Sequence, residues 1–330
     1  MTRPPGPSTG GCSTAPVDVS VILVNYNTEA LLQPCLDKLA QALVGLRHQV
    51  FIVDNASRDG SLSLLHERYG HYEIIENRIN VGFGRANNQV LERVRGRYVL
   101  LLNLDAFVEP DAIVKSIAYL DEHAGCGVLG ARLVDAEGHL QPCCRYFPTP
   151  WNLFLERTGA HRLFRGVRMI DDFSWDHASP RICDWVPGCF YLIRKEVIDA
   201  VGLFDPRYFL YWEEVDHCRA VNRAGWNVVY FPGTTVVHIG GESAKSESEL
   251  TGGRQISELQ IESQLLYFRK HYGRAGAWAG LGLMVAAEAL VALKSILLGR
   301  PWQRAAERWH EMRMNLRAFR RTGGGRVPAR

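Results

Sequence analysis

Four short runs of residues alternate with amphipathic segments in the first third of this 330-residue chain, and this alternation limits the possible folds most strongly. The runs are residues 19–24, 50–53, 73–76 and 98–102. They are short and rich in aliphatic, often β-branched residues, as buried parallel strands are. The segments that follow the four runs predict helices that end near residues 43, 69, 94 and 122. Such alternation predicts an α/β fold with a doubly wound, mostly parallel sheet flanked by helices.

Polar clusters follow three of these four predicted strands. They occupy residues 25–28, 54–59 and 103–105. In open α/β sheets, ligands bind beyond the carboxyl ends of the strands. The sequence therefore predicts one ligand site to which all three clusters contribute.

The second half of the chain has a less regular pattern. It predicts strands at 186–193, 228–231 and 236–238, and helices at 197–201, 213–224 and 258–272. Residues 240–253 are rich in Gly and Ser and predict a mobile loop, and residues 1–16 predict a disordered leader. The leader has no apolar run, so we expect no export signal and a cytoplasmic location.

Residues 278–298 are strongly apolar and are followed by a basic segment. From Arg300 to Arg330 there are nine Arg and two Glu, a charge of about +7, although the whole chain carries only +3. This segment suits an anionic membrane surface, whereas the overall charge does not indicate a nucleic-acid partner. Glu288 and Lys294 make a membrane span costly, which favours an interfacial helix. A helix packed on the protein's own core is the alternative.

The segment Asn103-Leu104-Asp105 is the first candidate for chemistry. Side chains two apart in an extended segment point to the same side, so residues 103 and 105 would face one site. Their hard oxygen ligands suit Mg²⁺ or Mn²⁺, which keep open positions for diphosphate oxygens. Taken alone, the triplet is better explained as a polar turn that caps the strand.

Two further clusters follow predicted strands. The Asp54 carboxylate can accept the imide N–H of uracil or thymine, whereas helix capping alone explains Ser57 and Asp59. Gly82 and Gly84 have the spacing that begins a dinucleotide-binding fingerprint, but Asn87 stands where the third Gly belongs. These glycines are better explained by a close approach of the backbone to a ligand or a neighbouring strand.

Aromatic residues lead into an acidic cluster between Tyr208 and Asp216. Acids are favoured in the first turn of any helix by its dipole, but an ordinary helix start does not need the aromatics. We therefore favour a general base for an acceptor hydroxyl, with Tyr211 and Trp212 offering flat surfaces to a sugar ring. His238 is a candidate metal ligand only in combination with Asp105.

Taken together and in order, these motifs resemble the family 2 inverting glycosyltransferases, especially the bacterial rhamnosyltransferase-like branch. The resemblance covers about residues 18–272. The matching stretches are residues 21–27, 53–57, 80–84, 87–88 and 102–105, Gly188, residues 202–205 and 209–216, and His238. The resemblance implies a GT-A type fold, a nucleotide-sugar donor and a divalent cation, Mg²⁺ or Mn²⁺. It divides the chain into a catalytic domain at 17–272, with a nucleotide-binding half at 17–122 and an acceptor half at 123–272, and a helical extension at 273–330.

The resemblance also implies roles for single residues. Asp105 and His238 would bind the metal, Asp54 would hold the pyrimidine, and Glu214 would be the base. Glu214 stands where the family often has Asp, so Glu213 or Asp216 are alternative bases; Asn103 also replaces a common Asp and removes one negative charge from the metal site. Nucleotide contacts are expected from Asn25, Tyr26, Asn27, Asn55, Ser57, Asn80, Gly82, Asn87, Asn103 and Leu104, and acceptor contacts from Tyr211, Trp212 and Gly188.

The implied activity is the transfer of a sugar, with inversion, to a glycan or lipid-linked acceptor in cell-surface polysaccharide synthesis. The resemblance favours a dTDP-linked deoxyhexose such as rhamnose, and a UDP-hexose or a galactofuranose donor is the alternative. The extension would rest on the cytoplasmic face of the inner membrane. A non-catalytic nucleotide-sugar binding or scaffold protein is the rival interpretation, but a binder needs no base. The sequence indicates no oligomeric state.

Overall fold

A computed structural model of the chain describes residues 16–164, 166–240, 253–299 and 301–329. The predicted leader and the predicted loop at 240–253 therefore lie, apart from their end residues, outside the described residues. The strands are β1 (Val17–Asn25), β2 (His48–Asp54), β3 (Glu73–Glu76), β4 (Gly96–Leu102), β5 (Ala106–Val108), β6 (Cys126–Val134), β7 (Arg181–Cys183), β8 (Phe190–Arg194) and β9 (Asn227–His238). The α-helices are α1 (Glu29–Ala42), α2 (Ser61–Tyr69), α3 (Phe83–Asn88), α4 (Ala112–Glu122), α5 (Pro150–Thr158), α6 (Lys195–Val201), α7 (Glu213–Arg223), α8 (Gly253–Leu297) and α9 (Trp302–Arg321).

The described strands form one mixed sheet in the order β3-β2-β1-β4-β8-β6-β9-β5, with β7 also paired to β9. Strands β3, β2, β1 and β4 are parallel to one another. Strand β8 runs antiparallel to both β4 and β6, and β5 runs antiparallel to β9. The α/β class is thus confirmed, but the parallel arrangement is confined to the first four strands and the β6–β9 pair.

Burial explains why strands β1, β2 and β4 could be predicted from their apolar sequence. Strands β1, β2 and β4 are buried at consecutive positions, as in Ile22-Leu23 and Leu100-Leu101, because both faces of this part of the sheet are covered. Helix α1 buries Leu32, Leu36 and Leu39, whose spacing places them on one helix face. The parallel half is therefore held by the hydrophobic contacts that its pattern predicts.

Several predicted elements differ from the observed ones. The helix expected over 83–94 ends at Asn88, and a 3₁₀ turn follows at Leu91–Arg93. The two short strands expected at 228–231 and 236–238 are one strand, β9, in which a register shift against β6 hides the periodicity. Strands β5, β6 and β7 and helix α5 had no prediction; in β6, Gly127 and Gly130 interrupt the apolar run and lower its β propensity.

The C-terminal extension folds back on the catalytic domain. Helix α8 contains a break at Gly273 (φ 69°, ψ −162°), close to the predicted end of a helix at 272. Helix α9 returns along α8, since the Trp278 ring lies 4.5 Å from the Phe319 ring. Glu288, only 1% exposed, is ion-paired with Arg157 of α5 and with Arg308 of α9. Because both arginines compensate its charge, Glu288 can be buried in the apolar helix.

One face of α8 thus packs on the protein itself, while another face remains exposed. The stretch Glu258–Leu297 is long and apolar enough to cross a membrane by length and composition, and 33% of its most apolar part is buried. Leu290, Leu293 and Leu297 are exposed. The packing on the protein's own core, which the sequence left as the alternative, is therefore observed for one face, and the interfacial contact stays a prediction.

Glu288→Ala should destabilise the folded chain, because it leaves a void, removes the counter-charge of Arg157, and leaves Arg308 with only the exposed Glu307 at 3.8 Å. Removing one partner of a buried pair costs about 3–5 kcal/mol, and the partial exposure of both arginines reduces this to about 2 kcal/mol. The free energy of unfolding in urea is the measurement. Glu67→Ala, which removes an exposed acid from α2 that makes no ion pair with the described residues, should change it by less than about 0.5 kcal/mol. Equal free energies of unfolding for the two variants would contradict a stabilising role of the Glu288 ion pairs.

Candidate active site

A cavity of about 700 Å³ lies beyond the carboxyl ends of the parallel strands. The predicted site residues on its wall are Tyr26, Asn55, Asn80, Asn103, Leu104, Asp105, Gly188, Tyr211, Glu213, Glu214 and His238. They come from both halves of the chain. At least one residue of each polar cluster therefore lies on the wall of one cavity.

The Asn103-Leu104-Asp105 segment is a turn between β4 and β5, not the extended segment that the sequence suggested. The Ala106 N–H donates to the Asn103 carbonyl (3.1 Å), which closes this turn. Asn103 and Asp105 nevertheless both line the cavity. Their common orientation comes from the turn and not from strand alternation.

Strand pairing places His238 beside Asp105. In the β5–β9 ladder, Ala106 is the register partner of His238, and the Ile239 N–H donates to the Asp105 carbonyl (3.0 Å). As a result, His238 Nε2 lies 3.6 Å from Asp105 Oδ1, and both side chains are largely buried. Two residues far apart in the sequence thus form one polar corner.

A neighbouring amide orients the His238 ring. The Nε2 group of Gln141 donates to the His238 carbonyl (2.8 Å), and its Oε1 lies 2.9 Å from His238 Nδ1. Because Oε1 can only accept, we assign the ring proton to Nδ1, which leaves the lone pair of Nε2 facing Asp105. Burial lowers the pKa of His238 and outweighs the opposing effect of Asp105, so the ring is held neutral.

A carboxylate oxygen and a neutral imidazole nitrogen form a donor set that fits Mn²⁺ or Mg²⁺. The Gln141 contact is the kind of outer hydrogen bond that metal-binding histidines use. Asp105 and His238 therefore fit the cation that the resemblance implies.

A second acidic group is explained without a metal. Ligand atoms of Asp135, Glu137 and His139 lie within 4.8 Å of one another. They belong to the turn after β6, where Asp135 Oδ1 accepts the N–H groups of Glu137 (3.0 Å) and His139 (2.8 Å). Turn formation accounts for this arrangement, and none of the three residues lines the cavity.

A buried network joins the ends of β1 and β2 beneath the cavity. Asn25 Nδ2 donates to Asp54 Oδ1 (2.6 Å) and to Ser57 Oγ (2.9 Å), and the Ser57 N–H donates to Asp54 Oδ2 (3.0 Å). Asp54 is 2% exposed. Asn25, Asp54 and Ser57 do not line the cavity and fix the shape of the loops above them. A direct contact of Asp54 with a pyrimidine stays a prediction.

The loop at 80–84 is held by side chains and by one close backbone contact. Asn55 Nδ2 donates to Asn80 Oδ1 (2.8 Å), and the Phe83 N–H donates to the Phe209 carbonyl (2.9 Å). Gly82 has φ 88°, and a Cβ there would lie 2.5 Å from that carbonyl oxygen. The predicted close approach is thus observed, and its partner is the segment that leads into the acidic cluster. Asn87 is buried and donates to the Phe83 carbonyl (2.9 Å), which makes it a structural residue.

The acidic cluster presents two carboxylates to the cavity. Tyr211 and Trp212 have left-handed backbones (φ 69° and 73°), and α7 begins directly after them with Glu213 and Glu214. Glu213 is 3% exposed, and its Oε2 atom has no hydrogen-bond partner among the described residues, whereas Glu214 is half-buried. A Cβ on Gly188 would lie 4.0 Å from Glu214 Cβ, so Gly188 leaves room beside this acid.

Burial gives both acids raised pKa values. The pKa of Glu213 lies well above its usual range because the group is buried and Glu214 adds a like charge. Burial also raises the pKa of Glu214. A carboxylate with a raised pKa and an accessible lone pair is suited to act as a general base. Glu213 has the more strongly raised pKa, but Glu214 is the more accessible of the two, which favours Glu214 as the base.

Asp216 has a different role from its neighbours. It accepts hydrogen bonds from His271 (2.6 Å) and Lys270 (2.6 Å), and it does not line the cavity. Burial alone would raise the pKa of Asp216, but these two partners outweigh burial and hold it low. The alternative that Asp216 is the base is therefore not supported, since its oxygens already bind two cationic or donor groups.

Trp212 also differs from its prediction. Its ring packs on Tyr267 (5.1 Å between centroids) and Phe268 (5.9 Å), and it is not among the residues lining the cavity. Asn27 likewise stands outside the cavity wall, and its Oδ1 accepts the Arg58 N–H (2.7 Å). Of the two predicted sugar platforms, Tyr211 alone lines the cavity.

Two arginines on the cavity wall had no prediction. Arg207 is paired with Asp205 (2.6 Å). Arg85 donates through Nε to the Pro206 carbonyl (2.8 Å), and it makes no ion pair with any carboxylate in the described part of the chain. Arg85 therefore adds positive charge to a cavity that an anionic ligand would enter, whereas the charge of Arg207 is balanced by Asp205. No local pattern marks them, because each reaches the cavity through tertiary packing.

Comparison with known proteins identifies the class of this fold and site. Residues 20–173 match the family model "Glycosyl transferase family 2". Among solved structures, a mannosyltransferase from Pyrobaculum calidifontis in complex with GDP-Man and Mn²⁺ aligns with a TM-score of 0.55 at 16% identity, over 92% of this chain and 88% of that one. The likeness confirms a GT-A type fold. The chain carries a glycosyl transferase family 2 domain and is a glycosyltransferase.

The curated relatives include rhamnosyltransferases, as the resemblance predicted. The N-acetylglucosaminyl-diphospho-decaprenol L-rhamnosyltransferase of Mycobacterium tuberculosis is 25% identical over 275 residues, 78% of this chain and 85% of the relative. The rhamnosyltransferase WbbL of Escherichia coli is 23% identical over 228 residues, 67% of this chain and 83% of the relative. The rival interpretation as a non-catalytic binder is not supported by these relatives.

Gln141→Leu should weaken the binding of Mn²⁺, because His238 loses the acceptor that fixes its tautomer. Loss of such an outer hydrogen bond typically costs about 10–100-fold in metal affinity. Titration of Mn²⁺ by calorimetry on the folded protein measures it. Gln41→Leu, an exposed change on α1, is the matched control and should leave the affinity unchanged. The same affinity in both variants would show that Gln141 does not orient a metal ligand.

Proposed function

We propose that this glycosyltransferase moves a sugar from a nucleotide donor to a lipid-linked glycan and inverts the anomeric carbon. One observation carries the proposal: a metal-binding corner, Asp105 with His238, and a carboxylate with a raised pKa, Glu214, line the same cavity. Such a displacement needs a carboxylate that binds the metal and a second carboxylate that acts as the general base.

Each group has a distinct task. Asp105 and His238 hold the cation, either Mg²⁺ or Mn²⁺, which when bound would supply positive charge to the leaving diphosphate. Arg85 adds positive charge at the same cavity, and Arg207, paired with Asp205, offers further N–H donors there. Glu214 accepts the proton of the acceptor hydroxyl, whose oxygen displaces the diphosphate from the opposite face of the sugar.

The remaining predicted residues form the walls of the donor and acceptor sites. Tyr26, Asn55, Asn80 and Asn103 line the cavity at the strand ends, where we place the nucleotide. The buried residues Asn25, Asp54 and Ser57 shape these loops from below. Tyr211 and Gly188 lie on the side of Glu214, where we place the acceptor. The domain boundaries remain as the sequence suggests, with the extension from residue 273.

The relatives support a donor and an acceptor class. Two of them are rhamnosyltransferases by name, which supports a dTDP-linked rhamnose, with a UDP-hexose or galactofuranose donor as the alternative outcome. The name of the mycobacterial relative describes an acceptor sugar on a diphospho-decaprenol. We infer a lipid-linked acceptor for this chain and a role in cell-surface polysaccharide synthesis.

The exposed face of the extension supports membrane contact. On α8 it presents Leu290, Leu293 and Leu297, and on α9 it presents Trp302 and Trp309. Trp residues beside aliphatic ones, together with many arginines, are typical of helices that lie in a membrane interface. We therefore place the protein peripherally on the cytoplasmic face of the inner membrane, where a lipid-linked acceptor is available.

Glu214→Gln should lower the rate of sugar transfer by about 10²–10⁴-fold, because the acceptor hydroxyl loses its base. Donor binding, measured by thermal shift, should remain. The rate is measured as nucleoside diphosphate released in the presence of acceptor. In the wild type, the acid limb of the pH–kcat/KM profile should lie above pH 4.5, since burial raises the pKa of Glu214 and the base acts only when deprotonated.

Two variants frame this test. Glu196→Gln removes an exposed acid from α6 and should keep wild-type turnover, whereas Asp105→Ala should lose both transfer and the metal-dependent part of donor binding. Full turnover in Glu214→Gln together with an inactive Glu213→Gln would transfer the role of base to Glu213. Full turnover in Asp105→Ala would contradict the proposal that a cation bound by Asp105 takes part in transfer.

Replacing Leu290, Leu293 and Leu297 together with Ser should weaken binding to vesicles that contain phosphatidylglycerol by at least about 10-fold, since each buried Leu contributes about 1.5–3 kcal/mol at most. Flotation of the full chain with vesicles is the measurement. The control triple Val44→Ser, Val114→Ser and Ile182→Ser removes exposed apolar residues elsewhere and should bind normally. Undiminished flotation of the α8 variant would contradict membrane docking by this face.

A further inference from the structure

A second cavity lies in the groove between α8 and α9. Its volume is about 680 Å³. Its floor is apolar and includes Leu281 and Phe319, with the exposed ring of Trp278 at its edge. This groove is separate from the cavity that holds Asp105 and Glu214. None of the sequence motifs points to it.

Four arginines line the groove and no acid does. They are Arg269, Arg274, Arg320 and Arg326. None of them makes an ion pair with a carboxylate in the described ranges, whereas Arg145, Arg157, Arg207 and Arg308 each do. Four guanidinium groups around one groove give it a positive potential that favours an anion. The planar fork of Arg binds phosphate oxygens in pairs, which makes a phosphate or diphosphate the matching anion.

The turn after α9 fixes the fourth arginine in place. Gly325 has φ 76°, and a Cβ there would lie 2.1 Å from the Leu265 carbonyl oxygen, so only Gly allows the chain to press against α8. The Gly325 N–H donates to Thr322 Oγ1 (2.9 Å), and the Arg326 N–H donates to the Thr322 carbonyl (2.8 Å). Arg326 therefore faces the groove from an ordered turn and not from a free tail.

The groove adjoins the active-site cavity. Pro328, two residues after Arg326, lines that cavity, and two residues span at most about 7 Å. On α8, Glu262 lines the cavity and Arg269 lines the groove, about 10 Å further along the same helix face. The Ala329 N–H donates to Glu262 Oε1 (2.9 Å), which ties the two walls together. One sugar ring and its glycosidic phosphate bridge a distance of this order.

We propose that this groove binds the phosphate group that links the acceptor glycan to its lipid. The proposal rests on the lipid-linked acceptor proposed above. The four arginines bind the phosphate or diphosphate, the sugar extends past Pro328 toward Glu214, and the hydrocarbon chain leaves over Trp278 along the exposed face of α8. A ligand that is anionic at one end and apolar at the other uses both the charge and the floor of the groove.

The occupant is distinct from the other anions that the protein meets. The diphosphate of the nucleotide donor belongs with Asp105 and His238, on the walls of the other cavity. A free phosphate would gain nothing from the apolar floor. The headgroup of a bulk anionic phospholipid shares the chemistry of the linked phosphate, so the experiment must separate the two.

The test compares Arg274→Gln with Arg320→Gln as a double variant against a control double variant, Arg304→Gln with Arg317→Gln. Both doubles remove two positive charges, but Arg304 and Arg317 are exposed residues of α9 that do not line the groove. With an acceptor sugar on a prenyl diphosphate, the groove variant should raise KM at least about 10-fold with kcat within about 3-fold. With the same sugar on a short alkyl chain without phosphate, both doubles should match the wild type. An equal KM effect in both doubles, or an effect with both acceptors, would overturn the proposal.

A binding measurement separates failure of the groove from failure of the proposed acceptor. Farnesyl diphosphate in detergent should bind the full-length wild type and the control, and should bind the groove variant at least about 10-fold more weakly, as followed by calorimetry. If farnesyl diphosphate binds in this way but no prenyl-linked acceptor supports transfer, the acceptor assignment fails and the groove assignment stands. Displacement of farnesyl diphosphate by phosphatidylglycerol vesicles, or equally tight binding of inorganic diphosphate, would reassign the groove to bulk lipid or to free phosphate and overturn the proposal. Both double variants should unfold at the same temperature as the wild type, which shows that the binding measurements compare folded proteins.

Discussion

The antiparallel pairing of β5 with β9 is the contact on which the site depends. It is short, yet it joins the strand that follows the parallel half of the sheet to the last strand of the domain. Through it, His238 stands beside Asp105, and the Gln141 amide completes the corner. Without this pairing the parallel half would still carry Asp105 at a strand end, but only one of the two proposed metal ligands would be present.

The parallel half was predictable because its information is local. The buried strands carry consecutive apolar residues, and their polar ends mark the ligand edge without reference to any distant residue. The roles proposed for Asp105, His238 and Glu214 rest on a resemblance in which several weak motifs occur in order. The geometry of the Asn103–Asp105 turn did not follow, because a turn and an extended segment place the same two side chains on one side.

Other features could not be read from the sequence because they arise from distant contacts. Asp216 and Glu214 look alike in the acidic cluster, and only the approach of Lys270 and His271 shows that Asp216 is already occupied. Glu288 reads as a charge that an apolar helix should avoid, and its partners Arg157 and Arg308 lie on other helices. Gln141 and Arg85 carry no local pattern at all.

Four of the five non-glycine residues with positive φ in the described part of the chain lie in segments that border the cavity, and the fifth is His177. Asn27, Ala56, Tyr211 and Trp212 all have left-handed backbones, a conformation that costs a non-glycine residue about 1–3 kcal/mol. They sit in the loops after β1 and β2 and directly before α7. Hydrogen bonds such as those of Asn25 and Asp54 hold the loops after β1 and β2 in place. The buried network therefore offsets the cost of the strained backbone that shapes the cavity wall.

The break in α8 at Gly273 has a geometric consequence. The helix before the break carries Leu259 and Glu262, which line the cavity, and the helix after it carries the exposed apolar face. The angle at one residue therefore sets the direction in which the cavity opens relative to any plane on which that face rests. Because the backbone there is left-handed (φ 69°), a side chain at this position would disfavour the bend. The backbone conformation of Gly273 thus helps to set the orientation of the catalytic domain relative to the exposed apolar face.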